Sequence, residues 1–148
     1  MTIVRHQQQP NRASCFFTSL GMMFGVDVQN LFDIVGHDGT EKIWPDQAEP
    51  FCFRGHTIDE AMWCSLILDL PMRLINRDSI VGHTEVDIQK VKTPYHWEGI
   101  LNFNLGKPKV FLNDHHAVCW HDYVTYDPSR LHPSRSPIVL KDWEICIL

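Results

Sequence analysis

The sequence predicts an α+β fold, with an N-terminal helical part packed on a C-terminal antiparallel β-sheet. Three observations carry this. Between residues 15 and 70, apolar side chains recur at helical spacing in three separate stretches. Beyond Gly106 the character changes to short β-prone runs divided by polar residues: KVFLN, HAVCW, YVTYD, PIVL and EICIL. Helices first and strands afterwards is the order of an α+β chain, not of alternating βαβ units. With 148 residues, 44% hydrophobic and 21% charged, the chain is long enough and apolar enough to bury a core without disulfide support. A single domain spanning 1–148 is expected.

The first helix is expected over residues 15–24. Phe16, Leu20 and Met23 lie at helical spacing, with Phe17 and Phe24 alongside and Gly25 as the stop. Asp27 reads as the N-cap of a second, short helix with Val28, Leu31, Phe32 and Val35 on its apolar face and Gly36 at its end. His37 to His56 shows no clear period and reads as a long loop. Its Trp44, Phe51 and Phe53 are expected to pin it to the body, the alternative being that they line a substrate groove. Thr57-Ile58-Asp59-Glu60 has the form of a capping box. The third helix should run from about Ile58 to Leu70 and stop at Pro71. Residues 72–76 read as a strand, and residues 77–92 have no clear assignment. Thr93-Pro94 opens a fourth helix carrying Trp97, Ile100, Leu101 and Leu105, with Gly106 ending it.

Composition excludes several classes of function. A formal charge of −5 and the absence of any run of Lys and Arg argue against a nucleic-acid surface. The polar start, MTIVRHQQQPNR, has no signal-peptide centre, and no apolar run approaches membrane-spanning length. Five cysteines, 15, 52, 64, 119 and 146, form no CxxC pair and predict free thiols in a cytoplasmic, reducing setting. A metal protein is the reading that nine histidines invite, but no ligand-spaced cluster appears. His115, His116, Cys119 and His121 would be split between two faces of a strand, so neither metal nor other cofactor is expected.

The candidate chemistry begins at Cys15. A thiol in the first turn of a helix meets unpaired backbone N–H groups and the positive end of the helix dipole, and both favour the thiolate. Such a nucleophile needs an imidazole base, and the imidazole needs a carboxylate or amide to orient it. The stretch DHHAVCWHDYVTYDP, residues 114–128, offers both. If His121-Asp122 forms a hairpin loop, Trp120 faces Tyr123, Val118 faces Thr125, and His116 faces Asp127 at a Cβ separation of about 4.5–5.5 Å. Gln9, six residues before Cys15, can then offer its amide N–H to an oxyanion beside the Cys15 backbone N–H. On a strand, His115 points to the face opposite His116. Cys119 has the opposite parity too and reads as core. Cys64 and Cys146 read as buried, and Cys52 as exposed but without a partner.

These residues resemble a known group. A glutamine six residues before a cysteine at a helix start, a distant histidine in HHAVCW and an acid in YDPS look like papain-like cysteine peptidases. In length the chain is most similar to the branch that processes bacteriocin leaders, the double-glycine peptidases and their stand-alone relatives. His116-Ala117-Val118, Asp127-Pro128 and Gly106-Lys107-Pro108 ahead of the strand are similar to that branch. Phe16 stands where the family commonly has glycine, and the eleven-residue step from His116 to Asp127 is shorter than in many relatives. Transporter-linked members carry a membrane domain, which is not expected here.

The resemblance implies a papain-like fold and a cysteine peptidase, with Cys15, His116 and Asp127 as catalytic triad and Gln9 at the oxyanion. The expected activity is a thiol hydrolase acting on a peptide or isopeptide bond of a protein or peptide substrate. An amidase, or an acyltransferase such as a transglutaminase, is the alternative on the same triad, because all begin with the same acyl-enzyme. A second alternative is a binding module of the same fold that has lost catalysis.

Overall fold

A computed structural model describes residues 3–75, 107–135 and 143–148. Its elements are α1 (Cys15–Phe24), α2 (Val28–Val35), α3 (Ile58–Ile67), β1 (Arg73–Ile75), β2 (Lys109–Leu112), β3 (Ala117–His121), β4 (Val124–Tyr126) and β5 (Glu144–Ile147). The class is α+β, with the five strands in one antiparallel sheet ordered β1-β5-β2-β3-β4. The expected fourth helix and the PIVL strand lie outside the described residues.

α1 is buried on every side from Phe17 to Phe24, so other elements must cover it all round. It packs on β3 and β2 and against α2, which in turn meets α3. Strand alternation supplies the matching sheet surface. Val110, Cys119, Cys146 and Ala117 join the core cluster around α1. Lys109, Phe111, Val118, Trp120 and Ile145 occupy the alternate positions and are buried as well.

Local chemistry sets the helix ends. Asp27 caps α2 by accepting from the Gln29 amide, and Gly25 and Gly36 close α1 and α2 in the left-handed conformation. Gln7 clamps the corner between these helices: its amide donates to the Val26 carbonyl at 2.8 Å and accepts from the Val28 amide at 3.0 Å. Thr57 and Glu60 form the capping box of α3. α3 ends at Ile67, three residues before the sequence expectation. There the Leu70 amide folds back to the Ser65 carbonyl, and the Ser65 hydroxyl donates to the Leu70 carbonyl at 2.6 Å. Pro71 disfavours helical geometry in the residue before it, so the turn must form upstream.

Residues 41–54 depart from the expected irregular loop. They form a small antiparallel hairpin, with Lys42 bridged to Phe53 and the Cys52 carbonyl accepting from the Ile43 and Trp44 amides. Trp44 and Phe51 do not pin it to the body; they are 55% and 58% exposed. Anchoring falls to its base instead. The Gly55 amide donates to the Gly39 carbonyl at 2.9 Å, and Asn11 Nδ2 donates to the Asp38 carbonyl at 3.2 Å. Below them the His56 ring stacks on Phe17 at 3.8 Å between centroids and on His37 at 4.7 Å. His37 is hydrogen-bonded to Glu60. Burial lowers the pKa of His56 and so favours the neutral ring. Burial also works against the charge of Glu60, but the hydrogen bonds from His37 and the Thr57 amide prevail and lower its pKa.

Gly21 lies close against the corner between α1 and α2. A Cβ there would lie 2.9 Å from the Val26 carbonyl oxygen and 3.4 Å from the Val28 nitrogen. Helix propensity alone would make Gly21→Ala stabilising by about 1 kcal/mol. Both neighbours are backbone atoms of the α1–α2 corner, so overpacking should prevail. The expected outcome is a net loss of about 1–3 kcal/mol, read from a urea melt followed by circular dichroism.

Candidate active site

The N-terminal segment, the start of α1, the turn before β3 and the turn after β4 meet at one end of the sheet. Cys15 is the first residue of α1 and is half-buried. Ser14 precedes it but makes no side-chain capping bond; its hydroxyl donates to the Asn11 carbonyl at 3.1 Å. The amides of the first turn are therefore not consumed by the N-cap side chain.

His116 sits in the four-residue turn between β2 and β3, just ahead of the strand. Asn113 builds this turn. Its Oδ1 accepts from the His115 amide at 2.9 Å and the His116 amide at 2.8 Å, while the Asn113 amide donates to the His116 carbonyl at 2.9 Å. His116 Nε2 bonds Asp127 Oδ1 at 2.7 Å, and Cys15 lines the same cleft as His116, near enough to favour the charged imidazole. With Nε2 engaged by Asp127, Nδ1 is the nitrogen left to serve the thiol.

The hairpin register differs from the sequence expectation. The loop is Asp122-Tyr123, both at positive φ, and the pairs are Cys119 with Tyr126, Trp120 with Thr125, and His121 with Val124. His121 is a strand residue, so His116 and Asp127 are not directly opposite; the register carried past the strand ends sets His116 level with Ser129. The shift is two residues. It leaves every side chain on its expected face, so the alternation of apolar residues is equally satisfied by both registers. Asp127 is then a diagonal neighbour of His116, and the imidazole spans the gap. The His115 expectation also changes. His115 lies in the turn, where strand parity does not apply, and it is exposed along the same cleft as His116.

Asp127 Oδ1 accepts three hydrogen bonds: from His116, from the Ser129 amide at 2.9 Å and from the Ser129 hydroxyl at 2.6 Å. Burial opposes ionisation of Asp127, yet these bonds prevail and hold its pKa at about 2. The hydrogen bond to Asp127, followed by the nearness of Cys15, raises the pKa of His116 to about 9 against the effect of burial. At neutral pH the imidazolium is therefore the favoured form. The raised His116 value contributes stability in full below about pH 6.5, and that contribution is lost as pH rises through about 9. The lowered Asp127 value contributes above about pH 3.8 and is lost as pH falls through about 2.

Gln9 reaches the site through its backbone, which donates to the Pro128 carbonyl at 2.9 Å. Its side-chain Oε1 is buried and has no hydrogen-bond partner among the described residues. Gln9, Arg12, Cys15, Pro50, His115, His116, Asp127 and Ser129 line a cleft of about 370 Å³, a volume in the lower part of the range for ligand sites. All four residues singled out from the sequence, Gln9, Cys15, His116 and Asp127, are thus brought to one cleft. Sequence reasoning missed Asn113, Ser129 and Pro50. The Asp-Pro-Ser and Asn-Asp-His-His strings carry the turn signal that could have found the first two.

The remaining cysteines are buried. Burial raises the pKa of Cys64 to about 11 and of Cys146 to about 12, and raises that of Cys119 too. Cys52 is also buried rather than exposed, its backbone forming the core of the 41–54 hairpin. Phe16 is half-buried, packed on the core and edge-on to Phe17. Among the described residues no group of three or more His, Cys, Asp or Glu side chains is placed to hold a metal ion. No helix among them is long and apolar enough to cross a membrane. Comparison with family models, with curated proteins and with solved structures finds no match.

Replacing Asp127 with asparagine removes the charge that holds the proton on His116. In Asp127→Asn the His116 pKa is expected to fall from about 9 toward the ordinary 6.5. A titration of the imidazole Cε1–H signal by NMR checks this, and a value unmoved by the substitution would contradict the assigned cause.

Proposed function

We propose that the protein is a thiol hydrolase of papain-like fold that cleaves a peptide or isopeptide bond. The observation that carries this reading is the His116–Asp127 hydrogen bond set beside Cys15 and Gln9 in the wall of one cleft. In this reading the Cys15 sulfur passes its proton to His116 and attacks the substrate carbonyl carbon. The carbonyl oxygen takes the negative charge and is met by the uncapped first-turn amide of Cys15 and the side-chain amide of Gln9. The intermediate collapses, the C–N bond breaks, and His116 gives its proton to the leaving amine. A water, deprotonated by His116, then cleaves the thioester and restores the thiol. Asp127 stays ionised throughout and keeps Nε2 engaged, so that Nδ1 faces the sulfur. The five unpaired cysteines suit work in a reducing compartment.

Iodoacetamide near neutral pH tests the nucleophile without knowledge of the substrate. Cys15 should be alkylated at least about tenfold faster than the four buried cysteines, and His116→Ala should slow it by about 10²-fold or more. Equal, slow labelling of all five cysteines would sink the proposal. Incubation of active protein with a proteome, followed by capture of adducts absent from Cys15→Ala, then identifies the acyl group.

A further inference from the structure

We propose that Phe51, with Pro50 and His115, forms the subsite that receives a large apolar side chain of the polypeptide acylating Cys15. The inference rests on the reading of Cys15 as nucleophile and adds the substrate class. Its basis is one of the places where the described residues leave apolar surface uncovered, the one that adjoins the cleft of Cys15. Ile43, Trp44 and Phe51 are 43%, 55% and 58% exposed, all within nine residues of one hairpin. Such clustering marks a binding surface more often than scattered exposed residues do.

This surface is continuous with the cleft of Cys15. Pro50 and His115 line that cleft, and the Phe51 ring stands edge-on to His115, with 6.5 Å between centroids and an 86° interplanar angle. An extended chain that crosses Cys15 and passes Pro50 therefore reaches the Phe51 ring at the edge of the cleft beside His115. The wall is also held in place. Arg54 pairs with Glu41 at 3.1 Å across the hairpin, and the His37–His56–Phe17 stack fixes its base. A preformed wall loses little freedom when a side chain docks on it.

Charge at the same rim does not offer a competing basis for selection. Glu49 lies 3.8 Å from both Arg12 and Lys42. Its carboxylate is already shared by two cations, so a basic substrate side chain gains little from it. All three groups are well exposed, where ion pairs are weak. Apolar contact is what this rim has to offer.

The test uses dipeptidyl chloromethyl ketones on the full chain, with alkylation of Cys15 followed by mass spectrometry. One set carries phenylalanine at either position, one aspartate, and one glycine at both. A phenylalanine probe should alkylate Cys15 about tenfold faster than the Gly-Gly and Asp probes, the discrimination an apolar pocket typically gives. Phe51→Ala should bring the rates within about twofold of each other, and Phe51→Leu should keep most of the preference. Phe51 is exposed, so neither change should alter iodoacetamide labelling of Cys15. Gly-Gly or Asp probes as fast as phenylalanine, or a preference that survives Phe51→Ala, would overturn the subsite. So would sedimentation showing a dimer that Phe51→Ala dissolves while probe rates stay equal, since the patch would then serve a second copy of the chain. If iodoacetamide fails to single out Cys15, the nucleophile reading falls and the subsite with it; if labelling is selective but shows no side-chain preference, the subsite alone falls.

Discussion

The burial of α1 is the constraint on which the rest of this structure depends. From Phe17 to Phe24 the helix has no face turned to water, so β2, β3 and α2 must close around it. Dispersion and apolar burial reward that closure, and strand alternation supplies Val110, Ala117, Cys119 and Cys146 as the opposing surface. Once the helix is enclosed, the position of its first turn is set. That turn emerges where β3 begins and β4 ends, because an antiparallel pair brings those two chain ends together. Cys15 is half-buried as a consequence of where α1 stops being covered.

The candidate site is polar chemistry placed at the margin of that apolar core. Two Asx-type turns do the placing. Asn113 organises the turn that carries His116, and Asp127 with Ser129 organises the turn that follows β4. One carboxylate oxygen gathers three donors. This explains how Asp127 stays ionised despite burial, and a held carboxylate in turn keeps the proton on His116. The backbone bond from Gln9 to Pro128 extends the same logic, because the segment that leads into α1 is tied to the residue next to the acid.

The hairpin of residues 41–54 shows a different balance. Its tip exposes Trp44 and Phe51 while its base is dense with stacked rings and paired charges. Of the three aromatics expected to hold this loop, Trp44 and Phe51 are exposed and Phe53 is half-buried, while histidines stack at its base. Periodicity could not reveal this, since ring stacking among Phe17, His37 and His56 joins residues far apart in sequence and leaves no repeat. Gly39 shows how tight the base is: its φ of +84° excludes most side chains, and an added Cβ would meet the His56 ring at 2.9 Å.

What the sequence determined by itself is everything encoded within a few residues. The bounds of α1 and α2, the caps at Asp27, Gly25, Gly36 and Thr57, and the α+β order follow from 3.6- and 2-residue periods and from capping chemistry. The choice of Gln9, Cys15, His116 and Asp127 as candidates was also legible, because residue type and helix-start position are local properties. Tertiary structure alone decided the rest. The two-residue change in the β3–β4 register was invisible because both registers put the same side chains on the same faces. Strict alternation would have turned His116 away from the face that Cys119 presents to α1. The chain escapes that rule because His116 precedes the strand, in a turn shaped by Asn113. The meeting of thiol, imidazole and carboxylate thus depends on a hydrogen-bonded turn and a diagonal contact, neither of which is written in the spacing of the residues.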